Sequence, residues 1–193
     1  SLFNNTTAAD NTAIGHQTLF TNATGANNTA VGKNALYYNT ASSNTAVGNL
    51  AMTNNSTGAN NTAVGHNALT ANTSGTENVA VGQNALDSNT TAGCNTSIGH
   101  GSMGDNTEGG NNVAVGRTAL GSNTTGASNV AIGRSSLTLN TTATGNTATG
   151  AFALDKNTTG ANNVGLGWQA LTANTTSSNN TAVGALALLA NTT

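Results

Sequence analysis

A motif of the form Asn-x-Ala-x-Gly, with few variants, recurs eleven times along the chain at an almost constant interval. The copy at 61–65 reads Asn-Thr-Ala-Val-Gly. Successive motif glycines are 17 residues apart nine times and 16 apart once, between Gly32 and Gly48. A period this strict over a whole chain indicates one supersecondary unit stacked on itself, not a globular domain built around a single site. We call each unit a coil and number its positions from the motif glycine, which is position 0.

The composition excludes several classes of partner. Charged residues make up 5% of the 193 residues, aromatic residues 3%, and there is no proline. So few large apolar side chains would fit a disordered chain, but disorder gives no reason to hold Val and Leu at a fixed phase. The formal net charge is −2 and the four basic residues are scattered, which argues against nucleic-acid or membrane-surface partners. No stretch approaches the roughly 18 apolar residues of a membrane span.

The residues before each glycine show the alternation of a β-strand. Positions −3 and −1 are β-branched in almost every coil, so they share one face of an extended segment, and the small residue at −2 points to the other. Gly, Asn and Thr fill the intervening segments, as in turns. We therefore predict an all-β fold, a β-solenoid (β-helix or β-roll) of about eleven 17-residue coils. Each coil has room for two or three short strands, and at about 4.8 Å per coil the rod would be about 50 Å long.

Asparagine occupies position −4 in every coil, and we call these residues the strand asparagines. A buried amide is costly unless it is hydrogen-bonded. Stacked amides, each with two donors and an acceptor, can bond to the coil above and the coil below. The alternative is that these residues cap turns, and the sequence leaves both interpretations open. The candidate ladder comprises Asn28, Asn61, Asn78, Asn112, Asn129 and Asn163.

A second constant asparagine stands at position +7, and we call these residues the turn asparagines. With Thr or Ser two places later, most of them match the Asn-x-Ser/Thr acceptor of N-glycosylation. Such triplets also arise by composition in a chain this rich in Asn and Thr. The candidate glycosylation sites are Asn22, Asn55, Asn72, Asn89, Asn123, Asn140, Asn157, Asn174 and Asn191.

Each coil offers few apolar side chains for a core. It has one Val or Ile at −1, one Leu or Met at +4, one Thr or Val at −3 and two small residues. Because burial of so little apolar surface offsets the conformational entropy of a coil poorly, we expect the Leu or Val stripe to pack against other chains. The predicted partner is the chain itself, in a homo-oligomer, either a parallel trimer or a filament. The short coil lacks one residue, which we place in its turn at Ser42 and Ser43.

Position +1, directly after the glycine, is the most variable, and we call this column the basic edge. It holds all three histidines, three of the four basic residues and the sole tryptophan. A column so polar and variable predicts a solvent-facing edge. Either this edge simply tolerates any residue, or it forms a stripe that touches surface glycans or a receptor, with Trp168 stacking on a sugar. The candidate ligand stripe is His66, His100, Arg117, Arg134 and Trp168.

The arrangement of the acidic residues argues against an enzyme. Acid–base catalysis needs two carboxylates facing one cleft, and Asp105 and Glu108 are the only near pair in sequence, in a Gly-rich loop. A calcium solenoid would place an Asp in each coil, and a phosphate loop would end in Gly-Lys-Ser/Thr. Neither pattern occurs. We predict neither catalysis nor a cofactor or metal.

The repeat resembles known fibre sequences. The segment at 61–75, Asn-Thr-Ala-Val-Gly-His-Asn-Ala-Leu-Thr-Ala-Asn-Thr-Ser-Gly, and its copies resemble repeats of phage tail-fibre-like and bacterial surface-fibre proteins. Val-Ala-Val-Gly at 79–82 and Val-Ala-Ile-Gly at 130–133 are also similar, more distantly, to head repeats of trimeric autotransporter adhesins, which use a shorter repeat. The resemblance implies an extracellular fibre or shaft on a cell surface or a virion.

Two functions from different classes follow. We expect a non-enzymatic structural protein that forms an extracellular fibre, with 1–193 as a single repeat array and a segment of a longer fibrous protein. The alternative is a binding module, either an adhesin stem or tail fibre that contacts glycans, or an ice-binding solenoid with threonine ladders. Ice binding requires a regular two-column Thr array, whereas position −3 mixes Thr with Val, and the Thr pair at +8 and +9 is interrupted.

Overall fold

Eleven parallel strands form one sheet, in which every strand pairs only with its neighbours in the chain. The structure, a computed structural model, describes residues 1–192. No helix in that part of the chain is long and apolar enough to cross a membrane. The strands are β1 Thr12–Ile14, β2 Thr29–Val31, β3 Thr45–Val47, β4 Thr62–Val64, β5 Val79–Val81, β6 Thr96–Ile98, β7 Val113–Val115, β8 Val130–Ile132, β9 Thr147–Thr149, β10 Val164–Leu166 and β11 Thr181–Val183.

The register of the sheet equals the sequence repeat. Ala63 in β4 pairs with Ala46 in β3 and with Ala80 in β5, so each residue lies over its equivalent in the next coil. The β-solenoid predicted from the sequence is therefore confirmed. Outside the strands the backbone also bonds from coil to coil; the amide of Leu69, for example, donates to the carbonyl of Ala85 at 3.0 Å.

Each coil contains one three-residue strand instead of the two or three that its length allows. The reason is the backbone conformation of the other segments, which place four residues per coil at positive φ. In the coil of Gly65 these are Asn60 at 61°, Gly65 at 140°, Asn67 at 57° and Leu69 at 54°. Residues in the left-handed region turn the chain and cannot extend a strand.

The core contains the small residues at −2 and +3, the Leu or Met at +4 and the two asparagine columns. Leu69 and Ala63 are fully buried, whereas Val64 is 37% exposed. The sequence-based core was therefore partly wrong, because it counted the β-branched residues at −3 and −1. Those residues share one face of the sheet, as predicted, but that face points outward, and we call it the outer face. From Leu19 to Leu171 the Leu or Met stripe is buried within its own chain and is not available to another, whereas Leu188 in the last coil is exposed.

Glycine at position 0 is required by both backbone conformation and packing. Gly82 has a φ of +136°, and a Cβ built on it would lie 2.5 Å from the carbonyl oxygen of Gly99 in the next coil. Only glycine allows adjacent coils to approach this closely at such a φ. The motif glycine thus sets the coil spacing as well as the turn.

Candidate functional site

The turn asparagines form a continuous amide–amide ladder through the interior. Asn72 Nδ2 donates to Asn55 Oδ1 at 2.7 Å, and Asn89 Nδ2 donates to Asn72 Oδ1 at 2.9 Å. The ladder has nine rungs between Asn22 and Asn174, with N···O distances of 2.7–3.1 Å except for a first rung of 3.5 Å. All ten side chains in it are fully buried. Such stacking satisfies an amide that would otherwise be costly to bury.

The strand asparagines form a second ladder, of a different kind. Asn61 Oδ1 accepts the backbone N–H of Asn78, the equivalent residue of the next coil, at 2.9 Å. Ten such rungs of 2.9–3.1 Å link Asn11 to Asn180. The predicted ladder is confirmed, and it includes Asn28, Asn61, Asn78, Asn112, Asn129 and Asn163. Its rungs join side chain to backbone, so each of these side-chain oxygens accepts the backbone N–H of the residue that precedes a strand.

The two asparagine columns meet at one backbone carbonyl in each coil, which the sequence analysis missed. The carbonyl oxygen of Gly75 accepts from Asn61 Nδ2 at 2.8 Å and from Asn72 Nδ2 at 3.0 Å. The same pair of hydrogen bonds is accepted by ten carbonyl oxygens, those of Gly25, Ala41, Gly58, Gly75, Ala92, Gly109, Gly126, Ala143, Gly160 and Ser177. Each coil is therefore closed on itself by the same side chains that bind it to its neighbours, and the ladder and capping interpretations are both correct.

The shared carbonyl also locates the missing residue of the short coil. Asn39 Nδ2 donates to Ala41, two residues later, whereas Asn55 Nδ2 donates to Gly58, three residues later. The deletion therefore lies between Asn39 and Ala41. The earlier placement at Ser42 and Ser43 was wrong, since Ser43, at φ 62°, has the conformation of its equivalents Asn27 and Asn60.

Burial of the turn asparagines bears on the candidate glycosylation sites. In Asn72 both amide hydrogens have acceptors, Asn55 Oδ1 and the Gly75 carbonyl, and the side chain is fully buried. A glycan on this nitrogen would remove a donor and could not fit inside the coil. The same holds for Asn55, Asn89, Asn123, Asn140, Asn157 and Asn174. Asn22 is also buried and donates to the carbonyl of Gly25, whereas Asn191 is partly exposed.

Hydroxyls at position +8, from seven threonines and Ser56, make a third ladder along the turn. Thr73 Oγ1 donates to the carbonyl of Thr90 at 3.0 Å, and Thr107 Oγ1 to that of Thr124 at 3.1 Å. Eight consecutive coils carry this bond at 2.7–3.3 Å. These hydroxyls are committed to the protein, so they are not a free polar array for an external lattice.

Unlike the +8 hydroxyls, the side chains of the outer face are not hydrogen-bonded within the part of the protein that the structure describes. Its −1 column exposes apolar side chains, including Val47 at 36%, Ile98 at 39% and Ile132 at 40%. Its −3 column holds Thr in seven coils and Val in four. Within residues 1–192 the hydroxyls of those threonines have no protein partner. The face is therefore regular, uncharged and unpartnered within the chain.

The basic edge is solvent-exposed, as its composition suggested. His66, His100, Arg117 and Arg134 are exposed, and Trp168 is 48% exposed. Arg117 and Arg134 lie on consecutive coils, one above the other. The two histidines stand two coils apart, and Trp168 lies two coils beyond Arg134, so the structure brings together only the arginine pair.

The titratable groups of the described chain are scattered. Burial raises the pKa of Asp87 and of Asp155 above the ordinary value of 3.8, and Asp155 Oδ1 is buried without a hydrogen-bond partner. The exposed Cys94 thiol donates to Glu77 Oε2 at 3.4 Å, and this bond raises the pKa of the thiol. No group of three or more His, Cys, Asp or Glu side chains in residues 1–192 is arranged to hold a metal ion.

Comparison with known proteins does not assign this chain to a family. The sequence matches no protein-family model and no curated protein, and no solved structure matches the chain.

Proposed function

We propose that this chain is a non-enzymatic structural protein that forms the shaft of an extracellular fibre by coil stacking and self-association. The observation that carries the proposal is the pair of uninterrupted asparagine ladders, with nine rungs in one column and ten in the other. A solenoid in which each unit contacts only its neighbours is quasi-one-dimensional. The extracellular location rests on the resemblance of the repeat to fibre repeats of cell surfaces and virions.

The ladders make the shaft stiff. Bending the rod would lengthen rungs on one side, and those rungs are buried, so no water replaces the lost hydrogen bond. Removing a partner from a buried donor or acceptor costs about 1–3 kcal/mol. Stiffness therefore comes from polar side chains inside the coil, which explains how a chain with one large apolar core residue per coil can form a rod.

Self-association uses the outer face. A strip three residues wide and eleven coils long covers about 500 Å², which is below the roughly 800 Å² per partner of a stable interface. A second copy on this face would therefore bind reversibly, and longer arrays or a parallel trimer would bind more strongly. In a parallel pair related by a twofold axis along the rod, the basic edge lies opposite the −5 column, which contains Asp10 and Glu77 and no basic residue.

Sedimentation and small-angle X-ray scattering test the proposal together. Scattering should give a rod about 50 Å long per chain, and sedimentation should show reversible, concentration-dependent association. The double variant Val64→Lys/Ile98→Lys, on the outer face, should be monomeric. The matched control Thr57→Lys/Thr91→Lys, at exposed +9 positions, should associate like the wild type. A compact particle, or a monomer at every concentration, contradicts the proposal.

A second candidate function is binding of ice by the outer face. The observation that favours it is the run of four in-register threonines, Thr12, Thr29, Thr45 and Thr62, whose hydroxyls have no protein partner in residues 1–192. Thermal hysteresis in the wild type and its loss in Thr62→Lys, but not in Thr57→Lys, would support it. Absence of thermal hysteresis in the wild type excludes ice binding and leaves self-association as the proposed use of the outer face.

A further inference from the structure

Two arginines of the basic edge lack any internal counter-charge. Arg117 and Arg134 lie on consecutive coils, about 4.8 Å apart along the axis. Neither guanidinium has a carboxylate within 4.0 Å in residues 1–192. Like charges on adjacent coils repel each other, although the chain as a whole carries a net charge of −2. An anion between the two arginines would relieve that repulsion.

The surface between them is shaped as a shallow depression. Its volume is about 300 Å³, and it is lined by Arg117, Thr118, Arg134, Ser135 and Phe152. The guanidinium carbon of Arg134 lies 4.5 Å from the centre of the Phe152 ring, so stacking holds that side chain in place. Thr118 Oγ1 donates to the carbonyl of Arg117 at 2.8 Å and lies 3.1 Å from Ser135 Oγ, so both hydroxyl hydrogens are used within the chain. The guanidinium donors at this opening suit the oxygens of a carboxylate or sulfate.

We propose that this depression binds an anionic group of an acidic polysaccharide that lies along the rod. The same edge continues past the small residue Ala151 to Trp168, which is 48% exposed and offers an indole face to a sugar ring. Arg117 and Trp168 are three coils apart, about 14 Å along the axis. Two charge contacts and one stacking contact in line fit a linear acidic oligosaccharide.

A nucleic acid fits this surface less well. Binding of a nucleic acid depends on neutralising many closely spaced phosphates, and the whole chain has only four basic residues. The proposed saccharide needs only two charge contacts and one stacking contact, which Arg117, Arg134 and Trp168 can supply. The proposal does not depend on the ladders, because the basic edge is separate from the buried asparagines, but the same edge borders the outer face that self-association uses.

Isothermal titration with defined probes tests this site. The probes are a heparin oligosaccharide, an oligogalacturonate, neutral dextran, inorganic sulfate and single-stranded DNA. The test variant is Arg117→Gln/Arg134→Gln, and the control Lys33→Gln/Lys156→Gln removes the same charge elsewhere. We expect binding of at least one acidic glycan, about tenfold or more weaker in the test variant, unchanged in the control, and weakened in Trp168→Ala.

The outcomes separate the sources of binding. No binding of either acidic glycan, an equal loss in the control, or equal binding of dextran or of DNA would overturn the proposal. Binding of inorganic sulfate as tight as that of the glycans would also overturn it, since the saccharide would then contribute nothing. Unchanged sedimentation and unfolding of the arginine variant show that a loss of binding is not a loss of fold.

Discussion

The side-chain nitrogen of Asn72 lies 2.7 Å from the side-chain oxygen of Asn55, 17 residues earlier in the chain, and both residues are fully buried. The same nitrogen donates its second hydrogen to the carbonyl of Gly75 at 3.0 Å. One amide therefore joins two coils and closes the turn of its own coil. Stability of the solenoid should depend on these polar residues as strongly as on its leucines.

Removal of one turn asparagine should destabilise the rod sharply. In Asn89→Ala, the amide of Asn106 loses its acceptor and the side-chain oxygen of Asn72 loses its donor, both inside the core. At about 1–3 kcal/mol for each unsatisfied group, we expect a loss of about 2–6 kcal/mol in urea unfolding. Asn54→Ala, at an exposed position without a side-chain hydrogen bond, is the control and should change stability by less than about 0.5 kcal/mol. Equal effects would contradict the ladder.

The motif glycine should not tolerate even a methyl group. Gly82→Ala places a Cβ 2.5 Å from the carbonyl oxygen of Gly99 at a φ of +136°. We expect destabilisation of at least about 3 kcal/mol, or no folded protein, because strain and clash add. In Gly104→Ala the nearest atoms would be 3.6 Å away, so that variant should fold normally. Thermal unfolding followed by circular dichroism compares the two, and a stable Gly82→Ala would refute the close approach of the coils.

The inside and the outside of the sheet should respond differently to substitution. Leu86 is fully buried, and truncation in Leu86→Ala should cost about 2–5 kcal/mol. Val64 is 37% exposed, and Val64→Thr keeps its β-branched shape, so stability should change by less than about 0.5 kcal/mol. Chemical denaturation of dilute protein, below the concentration of association, measures both. A costly Val64→Thr with a mild Leu86→Ala would mean that the sheet faces the other way.

Asp155 should make stability depend on pH in an unusual direction. Burial raises the pKa of this carboxyl above its ordinary value of 3.8, while Lys156 and backbone N–H groups oppose the shift. The folded state therefore holds the proton more tightly than the unfolded state, and stability falls as pH rises from 3.8 through the raised folded pKa.

Asp155→Thr tests that sign. Thr138 and Thr172, at the equivalent position of neighbouring coils, donate their hydroxyls to the carbonyls of Thr118 and Phe152. The variant should be more stable than the wild type at pH 7, and its stability should decline less as pH rises above 3.8, because only Asp87, whose pKa burial also raises, still contributes. Glu108→Gln, an exposed control, should keep the full decline. A variant that is less stable at pH 7 would show that the carboxylate stabilises the fold.

The period predicted the solenoid because identical units can satisfy each other only by stacking in register. The strand asparagines were predictable for the same reason, since a buried amide repeated at each coil finds its partner in its own copy. Neither inference needed the three-dimensional structure, because both follow from repetition.

The direction of the outer face could not be predicted from residue type. A Val such as Val64 suits an exposed strand as well as a buried one. A three-residue strand is also too short for its alternation of residue types to show which face points into the core. The left-handed conformation of Leu69, at φ 54°, was also hidden, since leucine rarely adopts it. The shared carbonyl of Gly75 depends on that turn geometry, so the joint role of Asn61 and Asn72 at that carbonyl escaped the sequence as well.

Disulfide trapping tests the stacking of coils most directly. Cys94 lies over Glu77 of the preceding coil, with its sulfur 3.4 Å from the carboxylate. Stacked backbones about 4.8 Å apart fall within the Cα separation of about 4.4–6.8 Å that a disulfide requires. Under mild oxidation, Glu77→Cys should bond to Cys94 nearly completely within one chain, as shown by peptide mass spectrometry, whereas Asn60→Cys, two coils away, should not. Failure of Glu77→Cys to form that bond, or equal bonding by Asn60→Cys, would contradict direct stacking.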